Sequence, residues 1–314
     1  MMIFESLAAV PAGFGPSAVT IGKFDGVHSG HRRVIGELRT LASEAELTTA
    51  VVTFDRNPLV LLRPDIAPAP LVSNEQKLEL LSDLGVDATL VVEFTQEFAA
   101  LDPRVFVQSI LVDALQARLV LVGSDFRFGA RGSGTIEMLR ELGAEFGFDV
   151  HLVDDVRAAE GRRASSTWIR ELLDDGKVGE ATELLGYAPC VRAEVVHGEK
   201  RGRALGYPTA NLSTDLEGLI PGEGVYAGWA TIGEDRFPAA ISVGKNPTFD
   251  GIRETRVEAH LLDQDLDLYG RTIEVSFVEY IRGMTKFDSV DALIEQMGKD
   301  SARARSVLGV VPLS

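Results

Sequence analysis

The strongest constraint on this chain lies near its start, in Val19-Thr20-Ile21-Gly22-Lys23-Phe24-Asp25-Gly26-Val27-His28-Ser29-Gly30-His31. The β-branched run Val19 to Ile21 predicts a buried strand. Gly22 and Gly26 supply a turn, and Gly30 stands where a helix should begin. Val34, Ile35, Leu38, Leu41 and Ala42 then recur at helical spacing. A strand that runs through a glycine turn into a helix N-terminus can bind phosphate, because free backbone N–H groups and the positive end of the helix dipole face the anion. His28 and His31 can aim both rings at one bound group from a single helical turn. Two other readings stay open at this point. The histidines are incidental on a tight turn, or they begin a metal site for which Asp25 is the one nearby third ligand.

The rest of the first half alternates strands and helices. Thr49 to Phe54, Asp87 to Phe94, Arg118 to Val122 and Asp149 to Val153 read as strands. Ser73-Asn74-Glu75-Gln76 reads as a capping box opening a helix. Asp102-Pro103 reads as an N-cap and first helical position, with the helix running to about Gln116. A further helix is expected from about Thr135 to Phe146. This alternation predicts a doubly wound, mostly parallel sheet, which binds ligands at the carboxyl ends of its strands. The pattern changes near Gly186-Tyr187-Ala188-Pro189. Arg192 to His197, Val225 to Ile232, Phe237 to Val243, Arg256 to Leu262 and Thr272 to Tyr280 are closely spaced β segments, followed by one amphipathic helix from about Ser289 to Leu308. They predict a small antiparallel β-barrel with a terminal helix. The expected domains are therefore residues 1–186 and 187–314 of the 314-residue chain.

Three more stretches carry chemistry. Arg163-Ala164-Ser165-Ser166-Thr167-Trp168-Ile169-Arg170 reads as a helix N-terminus, where hydroxyls, amides and the guanidinium groups of Arg163 and Arg170 can converge on phosphates. Phe126 and Phe128, in Gly123-Ser124-Asp125-Phe126-Arg127-Phe128-Gly129, either stack on a flat ring or belong to the core. The segment Gly198 to Asn211 joins the glycines Gly202 and Gly206 and the basic residues Lys200, Arg201 and Arg203 to Pro208-Thr209-Ala210-Asn211. Thr209 and Asn211 share a face of an extended segment. Two neutral oxygen ligands suit Mg²⁺, which takes its charge partners from substrate phosphates. Glycines let backbone amides approach those phosphates.

The histidine turn resembles the HxGH signature of nucleotidyltransferases, and the longer string Gly-x-Phe-Asp-Gly-Val-His-x-Gly-His resembles the FMN adenylyltransferase half of the bacterial bifunctional riboflavin kinase/FAD synthetases. Ser165 to Arg170 is similar to that family's Ser-Ser-Thr-x-Ile-Arg motif, and Gly123 to Gly129 to its Gly-x-Asp/Asn-Phe-x-Phe-Gly segment. Gly206 to Asn211 resembles the riboflavin kinase signature Gly-x-Pro-Thr-Ala-Asn, and Gly224-Val225-Tyr226-Ala227, Ser242 to Phe249 and Leu268-Tyr269-Gly270 extend the likeness over nearly the whole chain. The resemblance implies a Rossmann-like nucleotidyltransferase domain followed by a kinase barrel. It places ATP and phosphate contacts at Gly22, Phe24, Asp25, Gly30, Arg163, Ser166, Thr167 and Arg170, with His28 and His31 as catalytic groups. In the kinase half it places them at Gly202, Arg203, Gly206 and Pro208. It implies flavin contacts at Asp125, Phe126 and Phe128, Mg²⁺ at Thr209 and Asn211, and a catalytic glutamate at Glu258; His260 reads as structural. Riboflavin, FMN, FAD and ATP are the implied substrates or products. Where the family has Thr-Phe-Asp-Pro-His-Pro, this chain has Thr53-Phe54-Asp55-Arg56-Asn57-Pro58, so Arg56 is expected to replace a lost phosphate contact.

Composition narrows the partners. A net charge of -16 argues against nucleic acid and acidic membranes, and leaves phosphate binding to local arginines, Mg²⁺ and helix ends. The single cysteine, Cys190, excludes an internal disulfide and a cysteine-based zinc site. With no signal peptide pattern and no apolar run near the roughly 18 residues that span a bilayer, the expectation is a soluble cytoplasmic enzyme of small-molecule substrates, with a homo-oligomer left open. Two rivals remain: a nucleotidyltransferase with another phosphate acceptor, and a flavin-binding protein in which one half has lost turnover.

Overall fold

The computed structural model of the protein describes residues 1–153, 162–198, 206–247 and 253–311. The chain forms two compact units, Met1–Ser165 and Ser166–Ser314.

The first unit is built on a six-stranded parallel sheet of β1 (Met2–Phe4), β2 (Ser17–Ile21), β3 (Thr48–Phe54), β4 (Ala88–Val92), β5 (Ala117–Gly123) and β6 (Asp149–Val153), in the order β1-β4-β3-β2-β5-β6. All five residues of β2 are buried, as expected for a central parallel strand covered on both faces. The two faces follow the period of two. Val19 and Ile21 join a core with Phe106, Ile110, Leu111 and Leu139, whereas Ala18 packs with Leu38 and Ala42 of helix α1 (Ser29–Glu44). Helices α2 (Pro58–Leu62), α3 (Asn74–Asp83), α4 (Gln96–Ala99), α5 (Pro103–Phe106) and α6 (Ile136–Phe146) fill the connections. The Ser73 capping box of α3 is complete, with both reciprocal bonds to Gln76. The helix expected from Pro103 to about Gln116 changes pitch, and Val107–Ala114 is a π-helix. From β2 the chain moves to β3 on one side and returns to β5 on the other. The carboxyl ends of β2 and β5 therefore flank the switch point where such sheets bind ligands.

The second unit opens with α7 (Ser166–Asp174) and α8 (Val178–Leu185) and continues as a closed antiparallel barrel. Its strands are β7 (Cys190–Val196), β8 (Ala210–Leu212), β9 (Gly224–Ile232), β10 (Asp235–Pro247), β11 (Arg253–Leu261) and β12 (Thr272–Arg282), in the order β10-β11-β8-β7-β12-β9. Register shifts between β12 and β9 bend the barrel wall. Gly228 is required there, since a Cβ would lie 2.0 Å from the Ser276 carbonyl oxygen. Helix α9 (Val290–Leu308) is capped by Ser289, whose hydroxyl accepts from the Ala292 amide at 3.2 Å. Its Ala304 packs with Ala227 and Leu262.

The sequence patterns anticipate most of the longer elements to within a few residues, but not β1, β8, α2, α4 or α8. The first four are short, and α8 has no marked start signal. Helix α7, whose start the sequence places within residues 1–186, lies together with α8 in the unit that holds the barrel. The Gly222 amide donates to Leu173 O at 2.8 Å, and a Cβ on Gly222 would lie 2.2 Å from Asp174 O.

Candidate active sites

In the first unit, the turn after β2 is a tightly held backbone. The Gly22 amide donates to Val52 O at 3.0 Å, prolonging the β2–β3 ladder. Phe24 (φ 48), Gly26 (φ 76) and Val27 (φ 38) then take left-handed conformations. A β-branched residue there is strained. Burial of Phe24 and Val27 and the bond from the Val27 amide to Phe24 O at 3.1 Å hold it in place. His28 is the N-cap of α1, and its carbonyl accepts from Arg32 N at 2.9 Å. Side chains at Gly22 and Gly30 would crowd functional rings. A Cβ would come within 3.0 Å of the Phe24 ring in the first case and of His28 Cε1 in the second.

The imidazoles of His28 and His31 stack with centroids 3.8 Å apart at 20°, and Phe24 lies 5.0 Å from His31. Burial, aided by Arg163, pushes His28 down to about 4. Burial also holds His31 well below the usual imidazole value, with His28, Lys23 and Arg163 adding to the effect. Both rings are thus neutral at pH 7, each with one N–H to donate. Both Nδ1 atoms are buried without a hydrogen-bond partner among the described residues. Such atoms carry a desolvation cost that a ligand can relieve.

At the end of β5, Asp125 accepts from Arg163 Nη1 at 2.9 Å, which ties this loop to the segment beside the histidines. Phe126 is half-buried and stacks on Phe128, with centroids 5.6 Å apart. Phe128 is a core residue, packed on Phe106 and against Gly134, where a Cβ would meet its ring at 2.7 Å. A cavity of about 250 Å³ opens beside Lys23, Asp25, Asp55, Arg56 and Asn57. Asp25 accepts from the Leu71 amide at 2.8 Å, and Asp55 accepts from Phe94 N at 2.8 Å and from Arg56 Nε at 2.6 Å. Asn57 caps α2 by accepting from Leu59 N at 3.1 Å.

Lys77 lines the same cavity and was not expected from sequence. Its Nζ donates to Phe54 O at 2.7 Å. Burial pushes it down to about 8, while Asp25 and Asp55 pull it back up. Its position one turn before the buried Leu81, on the inner face of α3, was the available signal. Ser166, Thr167 and Arg170 lie in the first turns of α7, whose Ile169, Leu172 and Leu173 are buried.

In the barrel, the register places Glu258 of β11 opposite Asn211 of β8 on one side and Ser242 of β10 on the other. Val257, Ala259 and Leu261 point into the barrel core. Strand alternation puts Glu258 and His260 on the opposite face. That face is not open solvent. It borders a cavity of about 260 Å³ lined by Thr209, Glu258 and His260 at one side and by Met284, Phe287 and Met297 at another. A narrower cavity of about 50 Å³ is lined by Gly198, Thr209, Asn211, Leu268 and Tyr269. Thr209 lines both. Asn211 Nδ2 donates to Thr209 O at 3.3 Å, and a Cβ on Gly198 would lie 2.4 Å from Asn211 Oδ1. Pro208 O accepts from His260 at 2.8 Å, and Gly206 has φ 84. Gly202 and Arg203 lie outside the described residues.

Asp300 of α9, 5% exposed, accepts from Arg282 Nε at 2.9 Å and Nη2 at 2.7 Å, and from Gln296 at 2.8 Å. This buried ion pair fastens α9 to β12 along the larger cavity. No local sequence motif announces it, because its partners are brought together by the barrel.

Comparison with known proteins matches each half of the chain to a family. Residues 12–168 match the family model for FAD synthetase, and residues 185–308 match the model for riboflavin kinase. The chain is 39% identical over 293 residues to the bifunctional riboflavin kinase/FMN adenylyltransferase of Escherichia coli K12, covering 93% of each chain. It is 34% identical over 292 residues to the protein of that name from Bacillus subtilis, covering 92% of this chain and 91% of that one. A solved structure described as a macrolide-efflux protein from Streptococcus pneumoniae superposes with a TM-score of 0.87 at 34% identity, covering 97% of this chain and 98% of that one. No helix among the described residues here is long and apolar enough to cross a membrane. The chain belongs to the bifunctional riboflavin kinase/FMN adenylyltransferase family.

Proposed function

We propose that the barrel phosphorylates riboflavin with ATP to give FMN, and that the parallel-sheet unit joins FMN to AMP from a second ATP to give FAD and pyrophosphate. The observation that carries this reading is the cross-strand pair Glu258–Asn211 beside Thr209 and a cavity with an apolar wall, within the riboflavin kinase match.

The two steps need different groups. A ribityl hydroxyl is a weak nucleophile at neutral pH, so Glu258 takes its proton as the oxygen bonds to the γ-phosphorus and ADP leaves. The FMN phosphate has a second pKa near about 6 and is already largely ionised. Its oxygen attacks the α-phosphorus of ATP, and pyrophosphate departs without a base. His28 and His31 serve there as neutral donors to phosphate oxygens, with the amides at the start of α1. Arg163, paired with Asp125 at the end of β5, holds the β- and γ-phosphates. Asp125 and Phe126 face the flavin, and the buried Phe128 supports Phe126 from behind.

The donor set fits Mg²⁺. Asn211 turns its NH₂ toward Thr209 O at 3.3 Å and Thr209 Oγ1 at 3.5 Å, so its carbonyl Oδ1 and the Thr209 hydroxyl are the neutral oxygens the pair can offer an ion. Thr209 and Asn211 would hold the ion beside the nucleotide phosphates, which would supply the negative charge that two neutral oxygens lack. When bound it neutralises phosphate charge during transfer. The negative net charge and the use of ATP in both steps support work in the cytoplasm on small molecules.

Incubation with riboflavin and MgATP, followed by chromatography of the flavins, tests the reading. FMN should form first and FAD second. Unchanged riboflavin would overturn the kinase assignment, and FMN without FAD would overturn the second step.

A further inference from the structure

We infer that His260 is a positioning residue for the kinase step, holding the carbonyl of Pro208 so that Thr209 keeps its place beside Glu258. This rests on the assignment of Thr209, Asn211 and Glu258 to the kinase site.

The argument starts from a gap in a β-ladder. Strand β8 pairs with β11 through Asn211 with Glu258 and Ala210 with Ala259. Continuing that antiparallel register would set Thr209 against His260 and Pro208 against Leu261, but the pairing stops at Ala210. Proline has no N–H to give a ladder. The residue expected to hold a metal thus lies just beyond the last backbone pair, and a second anchor is needed if it is not to fray.

His260 supplies that anchor from its side chain. Its Nδ1 lies 2.8 Å from Pro208 O. A carbonyl only accepts, so the proton is on Nδ1 and the imidazole donates. Tyr207 packs edge-on against the same ring, with centroids 5.2 Å apart, so the residues on both sides of the peptide preceding Pro208 are held to one imidazole. His260 stands two residues after Glu258 on the same face of β11, and Thr209, Glu258 and His260 line one cavity. The base and the threonine are therefore both referenced to a single strand. A rigid reference matters because a misplacement of about 1 Å can cost about 10²-fold in a transfer reaction.

The test uses the full-length chain with His260→Ala and His260→Asn, whose amide can donate from nearly the same place, and with Glu258→Gln as comparator. MgADP binding is measured by calorimetry, together with kcat and KM for ATP and riboflavin. FMN adenylylation by the same preparation serves as the internal control. His260→Ala should weaken MgADP binding about tenfold, as expected for loss of one well-placed hydrogen bond. It should raise the KM for ATP by a similar factor, and His260→Asn should restore most of both. FMN adenylylation should not change. Glu258→Gln should bind MgADP as the wild type does but phosphorylate riboflavin poorly. Wild-type binding and kinetics in His260→Ala, alongside an inactive Glu258→Gln, would overturn this inference and leave the site assignment standing. Equal impairment of the Ala and Asn variants would also overturn it, since that marks a merely structural ring. Full kinase activity in Glu258→Gln would instead overturn the site assignment itself.

Discussion

His28 and His31 lie face to face with their ring centroids 3.8 Å apart, and neither Nδ1 has a hydrogen-bond partner among the described residues. Two charged imidazoles could not share that space, because each would raise the cost of the other's proton. The pair is stable as neutral rings, and neutrality suits them as donors to phosphate oxygens that already carry the charge.

This arrangement sets a pH dependence. His28 has a folded value of about 4 against an ordinary 6.5, so between these values the unfolded chain binds more protons than the folded one. The stability it contributes is fully present above about 6.5 and is lost as pH falls toward about 4. Histidine NMR titration of the free protein should show the His28 resonance with a midpoint near 4. Chemical denaturation should show stability falling through that window, with a shallower fall in His28→Gln. A midpoint near 6.5 would mean that the ring is solvated.

Single substitutions should separate the two chemistries. Glu258→Gln removes the proton acceptor and should lower riboflavin phosphorylation by about 10²–10⁴-fold, with FMN adenylylation near wild type. His31→Ala should show the reverse, losing about 10²–10³ in adenylylation through one missing donor. Supplied with riboflavin alone, the first variant should stall at riboflavin and the second should accumulate FMN. Equal loss of both steps, with circular dichroism unchanged, would contradict the assignment.

Arg56 lines the cavity of about 250 Å³ and is held by Asp55, while its neighbour Asn57 is occupied in capping α2. If Arg56 takes over the contact of the family's proline–histidine pair, it meets its anion in this cavity. Arg56→Ala should raise the KM for FMN or ATP in adenylylation severalfold and leave riboflavin phosphorylation alone. Steady-state kinetics identical to wild type would remove Arg56 from the site.

The grouping of α7 and α8 with the barrel bears on how the chain can be cut. Both helices bury leucines, and the α7–α8 turn closes on Gly222, next to Tyr226 and Tyr280. A fragment of residues 166–314 should melt at least about 10 °C above one of residues 187–314. That follows from losing the burial of Leu172, Leu173, Leu184 and Leu185, at about 1.5–3 kcal/mol each and about 2–4 °C per kcal/mol. Equal melting temperatures would show that the helices add nothing to the barrel.

Much of this protein was legible before any coordinates. Central strands such as Ser17–Ile21 announce themselves because burial on both faces demands a continuous apolar run. The glycine turn before α1 is legible because left-handed backbone and close ring contact leave few residue choices at Gly22, Gly26 and Gly30. Capping is local chemistry, so Ser73 and Ser289 could be read directly. Phe128 shows the limit of such reading. Alternating phenylalanines look alike in sequence, and only packing against Phe106 and Gly134 separates the core ring from its half-buried neighbour Phe126.

By itself, then, the sequence determined the class of each half and the residues able to meet phosphate, because periodicity, turns and caps are short-range. It could not say that Glu258 looks into a cavity and not into solvent, since that follows from α9 and the β12–α9 loop covering the outer face of β11. Nor could it pair Arg282 with Asp300, hold Lys77 against Phe54 or set His260 on Pro208. Those contacts join residues far apart in the chain or on different strands. Their strength comes from exclusion of water, which exists only once the barrel and the sheet have closed around them.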